Sequence, residues 1–263
     1  MKKEETKIIY YEDELNDEFS TVKIIPRKIE GNFKYQKSFI WELFSYITQN
    51  ILSMSIKVLY LKIRFNHKFI GKEKIKKYRK ENKRKGLFIY ANHTQAFADT
   101  IIPSMTIYPK RNFYIVNPEN ISMHHTGPLI ELLGAIPIPG DIKSSKNFLK
   151  RIENRIKKGY SISIYPEAHI WPYCTFIRNF KSVSFRYPKM YNVPMFTVTN
   201  TYQKRKNNKI QIVSYIDGPF YPDNKLSLKE NEKKLRDMAY NNMTKRSKNS
   251  NIEKIKYIKK ESM

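Results

Sequence analysis

The sequence predicts an α/β domain with a largely parallel sheet flanked by helices, preceded by an amphipathic N-terminal helical segment. Three observations predict it. From Gly86 onward, short apolar runs alternate with stretches of helical period. Before Gly86, residues 37–63 repeat apolar side chains at spacings of four and three and contain no Gly or Pro. The chain has 263 residues and is 40% hydrophobic, enough for a sizeable core.

In the stretch 37–63, Ile40, Phe44, Ile47, Ile51, Met54, Val58 and Leu61 form one stripe, and Glu42, Gln49, Asn50 and Lys57 mark a polar side. The stretch is long enough to cross a bilayer, but its polar stripe recurs too often for a lipid-facing span. Two readings stay open: a core-packing helix pair, or a helix lying in the membrane interface. Leu87–Ala91 reads as a buried strand, and a helix starts near Ala98–Thr100, with Pro103 in its first turn or as a kink. Phe113–Val116 reads as a strand, Pro128–Leu133 as a short helix closed by Gly134, and Ala135–Ile138 as another apolar run. From Ser144 to Lys158 an amphipathic helix is expected, capped by Ser144 and ended by Gly159. Ser161–Tyr165, Val193–Val198 and Lys209–Ile216 read as strands, and Leu228–Met243 as a charged surface helix.

Boundaries follow from composition. We expect a polar N-terminal segment (1–36), an amphipathic helical segment with a basic run, core-packing or membrane-interfacial (37–85), an α/β domain (86–248) and a basic C-terminal tail (249–263). The first twenty residues hold seven acids against three lysines, which does not resemble a signal peptide. A single cysteine, Cys174, excludes an intramolecular disulfide framework and a multi-cysteine zinc site, and suits a reducing compartment. The net charge of +26 attracts polyanions: nucleic acid, anionic membrane or phosphorylated substrates. A bias toward Lys, Ile, Asn and Tyr accounts for part of that excess. Its distribution still matters, because Arg64 to Lys85 carries eleven Lys/Arg directly after the apolar stretch, an arrangement that suits anionic lipid. No helix-turn-helix, RNA-recognition or zinc signature is present, so nucleic acid is not the expected partner.

In sheets of this kind ligands gather where strands end and helices begin. Two strand ends carry chemistry. One is Asn92-His93, followed by Asp99; a carboxylate holding one ring nitrogen leaves the other free to take a proton from a hydroxyl. The other is Tyr165-Pro166-Glu167-Ala168-His169, a sharp turn presenting a carboxylate. His169 is a possible substrate contact or an ordinary loop histidine. The adjacent His124-His125 raises metal binding, but no third ligand accompanies it in sequence, and no metal is expected. Trp171, Pro172, Tyr173 and Phe176 suit either a groove for an apolar chain or core packing.

Four blocks in order resemble the glycerophospholipid acyltransferase superfamily, of the 1-acylglycerol-3-phosphate acyltransferase (lysophospholipid acyltransferase) type, as a diverged branch. They are Asn92-His93 with Asp99, Gly134 to Gly140, Tyr165 to Ile170, and Val193-Pro194-Met195-Phe196-Thr197-Val198. The resemblance implies a lysophospholipid acyltransferase. It would move a fatty acyl group from acyl-CoA or acyl carrier protein to a hydroxyl of a lysoglycerophospholipid such as lysophosphatidate, without a cofactor. It implies His93 as general base and Asp99 as its orienter, with Asn92 and Glu167 near the acceptor. It also implies a peripheral location on the cytoplasmic face of an anionic membrane. Two departures stand out. Five residues rather than four separate His93 from Asp99, turning Asp99 by about 100° on a helix. The family's phosphate-binding arginines are replaced by Gly140 and Ile170. Arg178, Lys181 and Arg186 are the expected substitutes, Arg178 first, with Lys143 and Lys146 as further candidates. The competing reading is a catalytically dead basic protein of membrane surfaces or nucleic acid.

Overall fold

The computed structural model describes residues 6–19, 25–124, 126–205 and 209–260. In chain order, β1 (Lys7–Tyr11) precedes α1 (Phe39–Ile47), a π-helical turn (Thr48–Leu52) and α2 (Ser53–Phe65). Then come β2 (Lys68–Ile70), α3 (Lys72–Glu81), β3 (Leu87–Ala91), α4 (Ala98–Ile107) and β4 (Asn112–Val116). The short helices α5 (Pro118–Ser122) and α6 (Gly127–Leu132) lead to β5 (Ala135–Pro137), α7 (Ile142–Lys157) and β6 (Ser161–Ile164). After a long irregular stretch follow α8 (Arg186–Tyr191), β7 (Met195–Lys204), β8 (Ile210–Phe220), α9 (Leu228–Ser247) and β9 (Ile255–Lys259).

Seven strands form one sheet in the order β2-β8-β7-β3-β6-β4-β5. The five from β7 to β5 are parallel, β8 is antiparallel to β7, and β2 runs parallel to β8. Every residue of β3 is buried, as its unbroken apolar run requires of a strand covered on both faces. One face packs Phe88 and Tyr90 against α7 and α9 through Phe148, Ile152 and Leu235. The other packs Leu87 and Ile89 against α2, α3 and α4 through Leu61, Ile75 and Ile102. The sheet is therefore largely parallel and flanked by helices, as the alternation predicts.

One local expectation is corrected, and two open alternatives are decided. Asp141, not Ser144, caps α7: its side chain accepts from Ser144 N–H while the Ser144 hydroxyl accepts from Asp141 N–H, so Ser144 is the third residue of a capping box. Of the two placements for Pro103, the one past the first turn holds, inside α4. The stretch 37–63 forms a pair of helices, joined by the π-helical turn. The chain ends also meet, since β1 pairs in parallel with β9 in a separate two-stranded sheet. That sheet is packed by Tyr11, Trp171, Cys174 and Tyr257, so residues divided by composition into a leading segment and a tail share one cluster.

Helices α1 and α2 turn their polar residues inward. Glu42 receives Arg111, Arg151 and Arg155 from the α/β domain. Gln49 donates to Leu132 O and accepts from Arg111 Nε. Lys57 is buried and donates to Gln49 O, a carbonyl in the π-helical turn, and burial pushes its pKa down to about 8. Of the apolar stripe, Leu61 is buried in the core while Ile40, Phe44, Ile51 and Val58 are exposed, and beside them Phe39 is 83% exposed, Ile56 69% and Ile63 71%. Among the described residues no helix is long and apolar enough to cross a membrane.

Candidate active site at the ends of β3, β6 and β7

The parallel strands β3, β6 and β7 bring Asn92-His93, Tyr165–Glu167 and Asn200 to one edge of the sheet. Asn92 continues the β3–β7 pairing with its side chain: Nδ2 donates to Asn200 O and Oδ1 accepts from Asn200 N–H. His93 follows, half-buried, with Nδ1 2.9 Å from Asp99 Oδ2.

The longer spacing is absorbed by a turn. Ala96 and Phe97 bulge outward, both exposed, while Asp99 N–H donates to Gln95 O at 3.0 Å. The loop is thereby wound around the Asp99 carboxylate, whose Oδ2 also accepts from the backbone N–H groups of Thr94 and Gln95, each at 2.8 Å. Its Oδ1 accepts from Asn200 Nδ2 at 3.2 Å. Four donors thus converge on one fully buried carboxylate. An acceptor so surrounded requires His93 Nδ1 to carry the proton, which leaves Nε2 unprotonated in the neutral ring. Among the described residues Nε2 has no hydrogen-bond partner.

Tyr165 supports the ring from one side. The two rings stack with centroids 4.4 Å apart and planes inclined by 23°. The Tyr165 hydroxyl donates to Asp99 O. In a regular helix that carbonyl would accept from residue 103, but Pro103 has no N–H, so the proline frees an acceptor for the tyrosine. Burial, then the nearby Asp99, raises the Tyr165 pKa well above the phenol range, which keeps the hydroxyl a donor.

Glu167 holds the loop from the other side. Its Oε2 accepts from His93 N–H at 2.8 Å and its Oε1 from Arg178 N–H at 2.9 Å. The Arg178 guanidinium lies 3.3 Å from Glu167, donates to His169 O and stacks over Trp171 at 4.6 Å. Arg178 is 0% exposed. The expectation that it meets a headgroup is corrected on this ground: its charge is matched inside the protein, and it presents no surface to a ligand. Trp171 N–H and Tyr173 N–H donate to His93 O and Thr94 O, so the 171–173 segment runs along the histidine loop as backbone support.

The other candidates are placed as follows. Asn92 and Glu167 are buried and bonded within the protein. His169 Nδ1 is 3.7 Å from Glu18. Arg186 pairs with Glu232 at 3.4 Å, while Lys181, Lys143 and Lys146 are exposed. Gly140 N–H donates to Ile29 O, and a Cβ there would stand 3.0 Å from that oxygen, so a side chain at this position would crowd the crossing chain. Cys174 is buried and burial pushes its thiol pKa up, which leaves it unreactive. His125 lies outside the described residues; among those described, no three His, Cys, Asp or Glu side chains gather as a metal set.

Sequence reasoning missed a supporting chain behind Asp99. The Ser214 hydroxyl donates to Asn200 Oδ1 at 2.6 Å, and His67 Nε2 is 2.8 Å from that hydroxyl. Burial, with Lys72 beside it, pushes the His67 pKa down to about 4, so this imidazole is neutral at pH 7. Asn200 lies two residues past the fourth block, inside β7, and a polar residue within a buried strand was the available signal.

The sequence profile of the acyltransferase family matches residues 67–201, just over half of the chain. The crystal structure of the 1-acyl-sn-glycerophosphate (LPA) acyltransferase PlsC from Thermotoga maritima is similar to this chain, with a TM-score of 0.49 and 14% identity, over 81% of this chain and 97% of that one. No curated protein matches the chain.

Proposed function

The chain belongs to the acyltransferase family, and from that premise we propose that it acylates a hydroxyl of a lysoglycerophospholipid at a membrane surface, with an acyl thioester as donor. The observation that carries this reading is the His93–Asp99 contact at a strand end with Nε2 unpartnered. His93 Nε2 takes the acceptor hydroxyl's proton as that oxygen attacks the thioester carbonyl. The C–S bond breaks, an ester and a free thiol result, and the proton passes to the thiolate. Asp99 orients the ring and stabilises the imidazolium that forms. Tyr165 and Glu167 fix the ring and its backbone. Acyl-CoA and acyl carrier protein both supply this chemistry, and lysophosphatidate is the acceptor we test first.

The outward apolar face of α1 and α2 supports a peripheral membrane position. Contiguous exposed apolar surface marks an interaction site, and the basic run from Arg64 to Lys85 beside it suits anionic lipid. Phe97, 72% exposed in the histidine loop, lies 6.2 Å from Tyr60 of α2, so this face continues to the site.

Recombinant protein assayed with both donor types against a panel of lysolipids tests the proposal. Transfer is expected, and His93→Ala should lower turnover by about 10²–10⁴-fold with an unchanged circular dichroism spectrum. Activity of that variant within about threefold of wild type would remove His93 from the reaction.

A further inference from the structure

A phosphate-bearing acceptor needs a cation, and the first residue expected to supply one is engaged inside the protein. Gly140 and Ile170 carry no charge, Arg178 is buried on Glu167, and Arg186 is paired with Glu232, which leaves the exposed Lys181, Lys143 and Lys146. The C-terminal segment, by contrast, folds back beside the histidine loop. Tyr202 N–H donates to the Ser250 hydroxyl at 3.2 Å, Asn251 N–H to Tyr202 O at 2.9 Å, and Lys204 N–H to Asn251 Oδ1 at 2.7 Å. Ile252 then packs into the cluster that contains Tyr60 and Tyr173.

This places Lys254, half-buried, with Nζ 4.7 Å from the centroid of the Tyr173 ring. Tyr173 is the residue whose N–H donates to Thr94 O, next to His93. Its ring lies 5.3 Å from Tyr202, whose hydroxyl donates to Thr94 Oγ1. Among the described residues Lys254 has no carboxylate partner. An unmatched cation therefore stands over Tyr173 at the edge of the site.

We propose that Lys254 binds the anionic phosphate headgroup of the acyl acceptor. The inference rests on the acyltransferase reading of the His93 site. The C-terminal segment, read from sequence as a basic tail, then completes the acceptor site, and the tyrosine ring holds the ammonium in place before substrate arrives. A lysine serves phosphate as a point charge, without the bidentate geometry that an arginine would impose.

The test uses the full chain and soluble probes. Isothermal titration with glycerol 3-phosphate and with a short-chain lysophosphatidate should show binding that Lys254→Gln weakens at least tenfold and Lys254→Arg largely retains. In turnover assays Lys254→Gln should raise the KM for lysophosphatidate at least tenfold and leave the KM for an uncharged monoacylglycerol and for the donor unchanged. An equal rise for both acceptors, or no binding of either probe to wild type, would overturn the proposal. Phosphate could also belong to the membrane. Sedimentation with phosphatidylglycerol vesicles separates the sources: Lys254→Gln should dock like wild type, and reduced docking with an unchanged acceptor KM would assign Lys254 to the bilayer and refute the subsite. An active His93→Ala variant would instead remove the underlying acyltransferase reading, whatever Lys254 does.

Discussion

His93 Nδ1 and Asp99 Oδ2 lie 2.9 Å apart although five residues separate them, because the same Asp99 oxygen gathers the N–H groups of Thr94 and Gln95 and draws the loop around itself. One carboxylate both orients the base and shapes the loop. Asp99→Asn should therefore act twice. Its single oxygen can still accept from His93 and the loop, but its amide would face the Asn200 amide, which now donates to Asp99 Oδ1. The negative charge beside the imidazolium is lost as well. We expect turnover to fall by about 10²-fold or more, with the acceptor KM nearly unchanged. Steady-state kinetics check it; a turnover near wild type would mean that another group orients His93.

Tyr165 separates ring support from hydrogen bonding. Tyr165→Phe keeps the stack on His93 and removes only the bond to Asp99 O. A neutral hydrogen bond contributes about 1 kcal/mol net, so turnover should fall by no more than about fivefold. Tyr165→Ala removes the stacked ring, and turnover should fall well beyond that. Equal effects of the two variants would show that the hydroxyl, not the stack, holds the histidine.

Arg178 is expected to behave as part of the frame. Removing one partner of a buried ion pair leaves the other charge unmatched and costs about 3–5 kcal/mol. Arg178→Ala should lower folding stability on that scale in urea denaturation, because Glu167 would keep its charge with only two backbone donors. Unchanged stability with a raised acceptor KM would instead return Arg178 to the headgroup.

The membrane proposal rests on the apolar side chains that α1 and α2 expose. Serine at Phe39, Phe44 and Ile56 together should weaken vesicle sedimentation without destabilising the protein, since all three face outward. Salt should weaken binding to anionic vesicles more than to neutral ones. Binding that survives the triple change would place the docking surface elsewhere.

Much of this was legible in the sequence where periodicity decides. The buried run Leu87–Ala91 could only be a two-faced strand, and the helical spacing of 37–63 marked its helices. Direction was not legible. Periodicity shows that Glu42, Gln49 and Lys57 share a side, yet not that Arg111 and Arg155, far along the chain, make that side the inner one. The same limit affected Arg178: it follows the third block most closely and was therefore the first candidate for the headgroup, whereas the irregular 165–180 stretch folds it back into a buried pair with Glu167. The pairing of β1 with β9, and the placement of Lys254, depend on contacts between chain ends that no local pattern records.

The Glu42 cluster yields a pH dependence with a definite sign. Burial alone would raise the Glu42 pKa, but Arg151 and Arg155 outweigh it and hold the carboxyl at about 2, against an ordinary value of 4.5. A depressed carboxylate stabilises the folded state fully above its unfolded pKa and loses that contribution as pH falls through its folded one. The window is therefore from about pH 4.5 down to 2. The difference converts to about 3 kcal/mol, or on the order of 2 once solvent screening of a carboxylate that is 20% exposed is allowed for. Asp217, held at about 2 by Arg246 and Lys74 against the burial that would raise it, titrates in the same window, so the readout must be a difference between proteins. Glu42→Gln should already be destabilised at pH 7, since Arg111, Arg151 and Arg155 lose their shared counter-charge, and it should lose less further stability than wild type between pH 5 and 2. Urea midpoints across that range test both halves. Parallel curves for the two proteins would show that the three arginines do not hold α1 to the domain through Glu42.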